Sequence, residues 1–576
     1  MQKAIIAGSD RLEIISRNFL FFGIFFFIAI LSFTKIYNGD IWWSLAEGRE
    51  IVSSGVLQNT NKFAFTFPDH LWISAQWLFS LTAYFIINLI GISGLVIVKI
   101  IIFLIIVFFL FRVIQSTGLP SYQLVLFLLL FILAVHFRIM IRAHLFSILF
   151  FSIFIFLIHQ FRNDKKHALY WLLLVSLLWS NFHSGIIFGL GFLALSFLED
   201  SIRFLLKSNF SFRRLVQAKF FRNYIIFGIG SLLVSFINPQ GSSWLIHAFT
   251  HLNVESLIQL VEYQPAINLL PTTLPLFLLI FVWLIISIVR IFRSKQLQPY
   301  DLTALVFLYF ALKHNRIVPY FSIVAIISSA ISLKSIKLSL DKNIHFFENP
   351  NSQYSLFNLV LGLLLILAPL YLIGRLPFLP PVTDFGTGVN QYRLPIKSVD
   401  FLKVNHINGN GFNSFFWGGY LTWQLYPDKQ VFIDGRVPAY PAGFIQTTRK
   451  IRINSQIFQA VDDTYNFQYL IFPNDYLFWD IKTTFLSSDW RPVYWDRSGA
   501  RIYVKNNQQN LGYLLKHEYK YYNPNFDYAT FTAIKTDLYK RQQLIVEIKR
   551  HYAVTGEKYD LQQLAQFEIN SEPERK

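Results

Sequence analysis

The sequence predicts an all-α polytopic transmembrane bundle of about 11–12 spans, followed by a small α/β domain outside the membrane. Three observations carry this. Only 15% of the 576 residues are charged and 54% are hydrophobic, with 62 phenylalanines. A soluble domain is about one-quarter charged, so hydrocarbon solvates most of this chain. Apolar runs recur through the first 376 residues, several near the roughly 20 residues that a helix needs to cross a bilayer. After about residue 377, polar residues and turns return.

The apolar segments are 18–37, 76–91, 95–112, 120–137, 143–160, 168–182, 184–199, 223–238, 272–290, 300–314, 317–333 and 354–373. The first lacks a small-residue cleavage site and leads into further spans, so it reads as a retained anchor. Lys and Arg set the orientation. Basic clusters lie at Arg11/Arg17, Arg162/Lys165/Lys166, Lys207/Arg213/Arg214/Lys219, Arg290/Arg293/Lys295 and Lys334/Lys337/Lys342. With these in the cytoplasm, the N-terminus is cytoplasmic. Loop 38–75, residues 239–271, the Lys313–Arg316 corner and everything after 374 then lie outside. One stretch breaks the parity. An odd number of crossings must separate loop 38–75 from Arg162, yet four apolar segments intervene. The suspects are 76–91 and its neighbour, parted only by Gly91-Ile92-Ser93-Gly94. A segment lying in the interface would resolve it. The boundaries therefore read as 1–376 for the membrane domain, including the first outer loop 38–75, and 377–576 for the outer domain.

In the outer domain, Gln430–Asp434 and Phe467–Phe472 read as buried strands. Pro492–Tyr494 and Arg501–Val504 flank a hairpin turn at Asp496-Arg497-Ser498-Gly499. Ile396–Val404 and Thr532–Tyr552 have helical spacing. Strands alternating with helices suggest a small α/β domain. The last 15 or so residues are polar and read as loose.

The net charge of +18 fits positive-inside loops and anionic lipid. The basic residues sit in short loops rather than on one face with stacking groups, so nucleic acid is not an expected partner. The absence of cysteine excludes disulfides and thiolate metal sites.

Polar residues near a bilayer are costly and mark candidate chemistry. By the topology above they gather on the outer side: Asp40 and Glu47, Arg138, Arg142 and His144, Asn181 and His183, Asn238 and Glu262, Asn315 and Arg316. A carboxylate deprotonates or orients an acceptor hydroxyl. Arginine holds a phosphate bidentately. Each also has a plainer reading. Asp40 fits the N-cap of a helix over 41–52. Arg138 and Arg142 fit snorkelling to headgroups. Asn181 and His183 fit a helix-breaking turn that satisfies backbone. Asn238-Pro239-Gln240-Gly241 fits a turn, and Glu262 near Pro265 fits loop surface. Trp42, Trp43, Trp72 and Trp77 fit an interfacial aromatic belt, or sugar stacking. Asp434-Gly435-Arg436 sits at a strand end, where a structural turn competes with a ligand site. Gly418-Gly419 alone makes no phosphate loop. His183 has no second ligand at metal spacing, so no metal site is expected.

Several motifs, in order, resemble the GT-C type of bacterial membrane glycosyltransferase. Asp40-Ile41-Trp42-Trp43-Ser44-Leu45, Gly48, Ile51, Gly55, Phe63 to Thr66, Trp72 and Gln76-Trp77-Leu78 are similar to its first outer loop (D-x-W-W-H-L, G-x-x-I, D-x-F-S-x-T, W-L). Arg138 to His144 resembles an R-x-x-x-R-P-x-L corner. Trp179-Ser180-Asn181-Phe182-His183-Ser184-Gly185 resembles W-A-N-L-H-G-G. Asn238 to Gly241 and Glu262-Tyr263 resemble N-P-x-G and E-W elements. Phe416-Trp417-Gly418-Gly419-Tyr420-Leu421 and Val431 to Arg436 resemble the outer domain such proteins carry. The match runs over about residues 38 to 505.

The resemblance implies a GT-C-like bundle in a bacterial cytoplasmic (inner) membrane, with its site on the outer face. It implies a polyprenyl-phosphate sugar as donor, membrane lipid as partner, and a glycan, lipid or protein acceptor. Asp40 takes the place of the catalytic carboxylate. Arg138 and Arg142 would hold the donor phosphate, and Arg316, placed on the same side by the topology, would join them. Trp42, Trp43, Glu47, His144, Asn181, His183 and Glu262 would line the sugar and acceptor site. This sequence departs from the pattern at Ser44, Asn61, Ala64 and Ala143. Asn61 replaces a second loop aspartate, so Glu47 or Asp69 would have to substitute. No cofactor is expected, and a divalent metal is possible but not supported. A non-catalytic scaffold of an envelope glycan assembly complex is the alternative. A lipid-linked sugar transporter would need polar residues near midplane, whereas these charges stand at span ends.

Overall fold

The computed structural model describes all residues except 1, 246–261, 342–352, 376–381, 452–453, 474–488, 497–498, 525–527 and 570–576. The expectations for Lys342, for the Arg497-Ser498 turn and for the last seven residues lie outside the described residues. The chain divides into two compact units. One comprises residues 1–36 and 73–388, and the other 37–72 and 389–576. The first outer loop therefore folds with C-terminal residues.

The first unit is helical, and each of the twelve apolar segments falls on a helix. Seven of these are long and apolar enough to cross a membrane: Arg11–Ser32, Ile92–Gln115, Ser121–Arg138, Ala143–Arg162, Leu274–Ser294, Asn315–Ile336 and Tyr354–Leu372. The chain is a multi-pass membrane protein. Four others are shorter: Trp77–Ile90, Ala168–Phe182, Lys219–Ser235 and Asp301–Lys313. Ile186–Lys207 has the length but carries Glu199, Asp200, Arg203 and Lys207. Trp77–Ile90 has 14 residues, or about 21 Å at 1.5 Å per residue, against a hydrocarbon core of about 30 Å.

Asn315–Ile336 is the most enclosed span, whereas Leu274–Ser294 and Tyr354–Leu372 turn much of their surface outward. Exposed Leu278, Phe281, Ile288 and Phe292 suit a lipid-facing side. The helices Gln2–Ser32 and Gln353–Leu372 meet at Gly23 and Gly362. A Cβ on Gly23 would come within 2.7 Å of the Gly362 carbonyl oxygen. Small residues let membrane helices approach this closely.

One end of the unit is closed by ion pairs. Arg162 donates to Asp200 at 2.9 Å and to Glu199 at 3.3 Å. Glu199 also accepts the backbone N–H of Tyr300 and Leu302 at 2.8 and 2.9 Å, satisfying the start of helix Asp301–Lys313. Arg290 pairs with Asp301 at 2.7 Å. Arg162 and Arg290, read from sequence as loop charges, are thus pinned inside. Lys99, within an apolar span, donates to the Thr34 carbonyl and hydroxyl at 2.9 and 2.7 Å.

The second unit is built on a four-stranded sheet of order β1-β2-β4-β3. Its strands are β1 (Asn410–Asn413), β2 (Phe467–Pro473), β3 (Trp490–Trp495) and β4 (Ala500–Lys505). β1 runs parallel to β2, and β4 is antiparallel to both β2 and β3. Every residue of β2 is buried, as its apolar run predicts. Residues 430–434 are not a sheet strand. Val431 instead makes an isolated parallel bridge to Ala64. Helix Ile396–Asn405 matches expectation, and the helical stretch over 532–552 proves to be two helices, Tyr528–Thr536 and Leu538–Thr555. They are parted at Asp537, whose side chain accepts from Lys540 N–H at 3.1 Å.

The first-loop helix Asp40–Ser54 packs on helix Phe415–Leu425. Trp42 meets Tyr420 edge-on at 4.9 Å. The glycine pair allows the approach. A Cβ on Gly419 would lie 2.3 Å from the Gly39 carbonyl oxygen, and one on Gly418 would lie 2.0 Å from that of Ile433. Gly418-Gly419 is a packing device.

Candidate functional site

The site residues read from the sequence divide between the units. Asp40, Trp42, Trp43 and Glu47 belong to the second. Arg138, Arg142, His144, Asn181, His183, Glu262 and Arg316 belong to the first.

In the second unit, Trp42, Trp43 and Trp72 are buried, which corrects the aromatic-belt reading for these three. Trp43 and Trp72 pack edge to face at 5.7 Å. Neither Trp42 nor Trp43 keeps the open ring face that sugar stacking needs. Glu47 is also buried and accepts the Trp72 indole N–H at 3.0 Å. Asp40 is half-buried. It is the first helical residue rather than the cap, since Asn38 Oδ1 accepts the N–H of Asp40 and Ile41 at 3.0 and 3.1 Å. An anionic side chain is favoured at this helix end. Its Oδ1 faces the Trp43 indole N–H at 3.4 Å and lies 2.5 Å from where a Cβ on Gly435 would stand.

Asp434-Gly435-Arg436 forms a closed lock. Both ionic side chains are fully buried and pair at 2.8 Å. Arg436 Nη2 also donates to Asn61 Oδ1 at 2.7 Å. Its guanidinium lies 4.6 Å from the Phe63 ring centre and 5.2 Å from that of Trp72. Burial pushes the Arg436 pKa down, but Asp434 and Tyr440 outweigh it, and the net shift is upward. Asn61, where the GT-C pattern has aspartate, works in this lock: its amide donates to the Thr66 carbonyl at 3.3 Å.

In the first unit, a claw of arginines closes on one carboxylate. Arg138, at the end of its span, donates through Nη1 and Nη2 to Glu262 Oε2, both at 3.2 Å. Arg142 Nη2 reaches Oε1 at 3.5 Å. Arg316 N–H donates to the Glu262 carbonyl at 2.8 Å. The Arg316 guanidinium donates to the Tyr263 hydroxyl and lies 4.8 Å from that ring's centre. Burial alone would raise the Glu262 pKa. Arg142, Arg138 and Arg316 outweigh it and hold the carboxyl well below the usual range. Three guanidiniums against one carboxylate leave a surplus of two positive charges. Arg138 Nε, His144 Nδ1 and Asn315 Oδ1 are buried there without a hydrogen-bond partner. Buried polar atoms of this kind call for water or a ligand. His144 Nε2 lies 2.9 Å from the Arg138 carbonyl oxygen, which places the imidazole beside the claw.

Asn181 and His183 hold a turn between helices, as the plainer reading had it. Asn181 accepts the Trp77 indole N–H at 3.0 Å and donates to the Leu177 and Ile237 carbonyls at 2.8 and 3.0 Å. With Trp77, Leu177, Phe236 and Asn238 it lines an open cleft. His183 Nδ1 accepts from Gly185 N–H at 3.0 Å and lies 2.8 Å from Ser147 Oγ. Ser147 also accepts the Trp179 indole N–H at 2.8 Å. Nothing in the sequence distinguishes Ser147 from other small hydroxyls in apolar helices. Tyr263 was legible only as the partner of Glu262 in the E-W-like element. Among the described residues, no group of three or more His, Asp or Glu side chains stands together as a metal site.

No protein-family model matches this chain, and no curated protein sequence does. Solved structures do. The archaeal oligosaccharyltransferase AglB from Archaeoglobus fulgidus, in complex with an inhibitory peptide and a dolichol-phosphate, superposes with a TM-score of 0.52 at 11% identity, covering 87% of this chain and 74% of that one. The oligosaccharyltransferase of the same organism, tethered to an acceptor peptide containing the NVT sequon, gives 0.50 at 11% identity with the same coverage. At this identity the likeness shows the fold: a GT-C-like helical membrane domain with a small sheet-containing domain towards the C-terminus.

Proposed function

We propose that this protein transfers a sugar from a polyprenyl-phosphate-linked donor to an acceptor on the extracytoplasmic side of a bacterial inner membrane. The arginine claw is the observation that carries this reading. A cationic cluster that keeps a surplus of charge and an orphaned guanidinium N–H, Arg138 Nε, suits a phosphate. As the bond from the anomeric carbon to the phosphate oxygen breaks, the electron pair leaves with polyprenyl phosphate. Arg138, Arg142 and Arg316 stabilise the charge that develops there. The acceptor oxygen forms the new bond to that carbon and gives its proton to a carboxylate. Asp40, half-buried at a helix N-terminus, is assigned that role on its chemistry.

The test is release of polyprenyl phosphate by purified protein in nanodiscs, supplied with polyprenyl-phosphate hexoses and pentoses and extracted envelope acceptors. Transfer that falls at least about 100-fold in Asp40→Asn, within the usual range for a lost general base, supports the assignment. An Asp40→Asn variant as fast as wild type removes it.

One observation favours the alternative, a non-catalytic scaffold of an envelope glycan assembly complex. Asn61 has no carboxylate and Glu47 is committed to the buried Trp72 indole, so of the two substitutes for a second loop carboxylate only the exposed Asp69 is left. Unchanged glycan and lipid-linked sugar profiles in a deletion strain would favour that reading.

A further inference from the structure

Glu262 occupies its claw in the manner of a ligand. Its two oxygens receive three hydrogen bonds from two guanidiniums, the arrangement an oxyanion of a phosphate would take. The backbone around it is pinned. Arg316 N–H donates to the Glu262 carbonyl, and Asn315 N–H to that of Gln264 at 3.0 Å. Only the side chain is left to move, and it is 24% exposed, as Arg142 is 23% exposed, while Arg138 is 7% exposed. The claw is therefore closed behind Arg138 and open beside Glu262.

Arg138 cannot stand in this position without an anion, because an unpaired buried charge costs several kcal/mol. A protein that binds a phosphate here needs a substitute for it between turnovers. We propose that Glu262 is that substitute: a resident counter-anion that fills the phosphate position in the ligand-free claw and gives way to phosphate, the diester of the incoming donor and the monoester left after transfer. This rests on the reading of the claw as a phosphate site. It changes the role of Glu262 from sugar contact to competitor, which sets phosphate affinity. The charges favour the exchange. With Glu262 alone the cluster sums to 3 − 1 = +2; the donor's diester monoanion, with Glu262 still nearby, brings it to +1, and the monoester dianion left after transfer brings it to zero. A ligand that must displace an internal occupant binds more weakly, by the fraction of time the site is open.

The experiment uses the full chain in phosphatidylcholine nanodiscs, with farnesyl phosphate and inorganic phosphate titrated calorimetrically. Glu262→Gln is expected to bind roughly tenfold tighter than wild type, as if the claw were otherwise open about one-tenth of the time. Glu262→Asp keeps the charge, and its shorter arm cannot span Arg138 and Arg142, so a smaller tightening is expected should Glu262→Gln not fold. Tightening confined to farnesyl phosphate identifies a lipid headgroup as the ligand, and tightening for both probes identifies any phosphate monoester. If Arg138→Ala abolishes binding but neither Glu262 variant tightens it, the counter-anion role is overturned and the phosphate claw stands. If wild type and all variants bind neither probe, both fall.

Discussion

Each unit of this molecule buries arginine against carboxylate, and the pairs Arg436–Asp434 and Arg138–Glu262 have opposite characters. Arg436 and Asp434 are fully buried, matched in charge and bracketed by Asn61, Phe63 and Trp72. Arg138 is nearly as deeply placed, yet Glu262 and Arg142 beside it are partly open, and positive charge is in excess. A balanced, sealed pair orders its surroundings: Arg436 Nη1 is left without a hydrogen-bond partner, but no open side lets a ligand reach it. An unbalanced pair with an open side is poised for an anion. The difference lies in stoichiometry and access rather than in residue type.

The largest effect should come from the sealed pair. Arg436→Ala strands Asp434 and should destabilise the second unit by about 3–5 kcal/mol, read as urea unfolding followed by tryptophan fluorescence. A cost under about 1 kcal/mol would mean that the lock does not order this unit. Next, Arg138→Ala removes two charge-assisted hydrogen bonds. Phosphate affinity should drop by at least about 100-fold, given about 1.5–3 kcal/mol for each hydrogen bond to a charged group, while unfolding of the second unit stays unchanged. Equal loss in both would erase the contrast between the pairs. Gly418→Ala should destabilise the second unit by about 1–3 kcal/mol, because its Cβ would meet the Ile433 carbonyl oxygen at 2.0 Å. A variant as stable as wild type would show that this helix can shift freely.

The smallest effect is on pH dependence. The arginines hold the Glu262 carboxyl below its ordinary range despite burial. Its contribution to stability is therefore complete above the usual glutamate value of about 4.3. It fades as pH falls from there towards the lower folded value. The stability gap between wild type and Glu262→Gln, measured by scanning calorimetry, should be level from pH 7 to about 5 and narrow below about 4. A gap that narrows between pH 7 and 5 would place the carboxyl outside the influence of the claw.

Much of this was legible in the chain. Apolar run length located the helices of the first unit and β2, and turn residues between two short strand-like runs located the β3–β4 hairpin. The resemblance singled out Arg138, Arg142 and Glu262, the topology placed Arg316 on the same side, and the structure brings these four together. What misled were residues whose type fits either a site or a core. Trp42, Trp43 and Glu47 look like ligands for a sugar and serve as packing. Asn61 looked like a lost aspartate and accepts from Arg436 instead. Val431 to Asp434 has the composition of a strand but makes one bridge.

By itself, the sequence determined the membrane class of the protein, the helices that make it so, and the order in which its polar residues appear. These follow from local periodicity and from the solvent each segment needs. Only the tertiary structure decided that the first loop folds with residues 389–576, that Asn61 answers Arg436 across 375 positions, and that Glu262 sits in the grip of Arg138 across 124. Partners so far apart share no turn and no strand register, so no local pattern encodes them. They are selected when packing excludes water and every buried charge must find its complement.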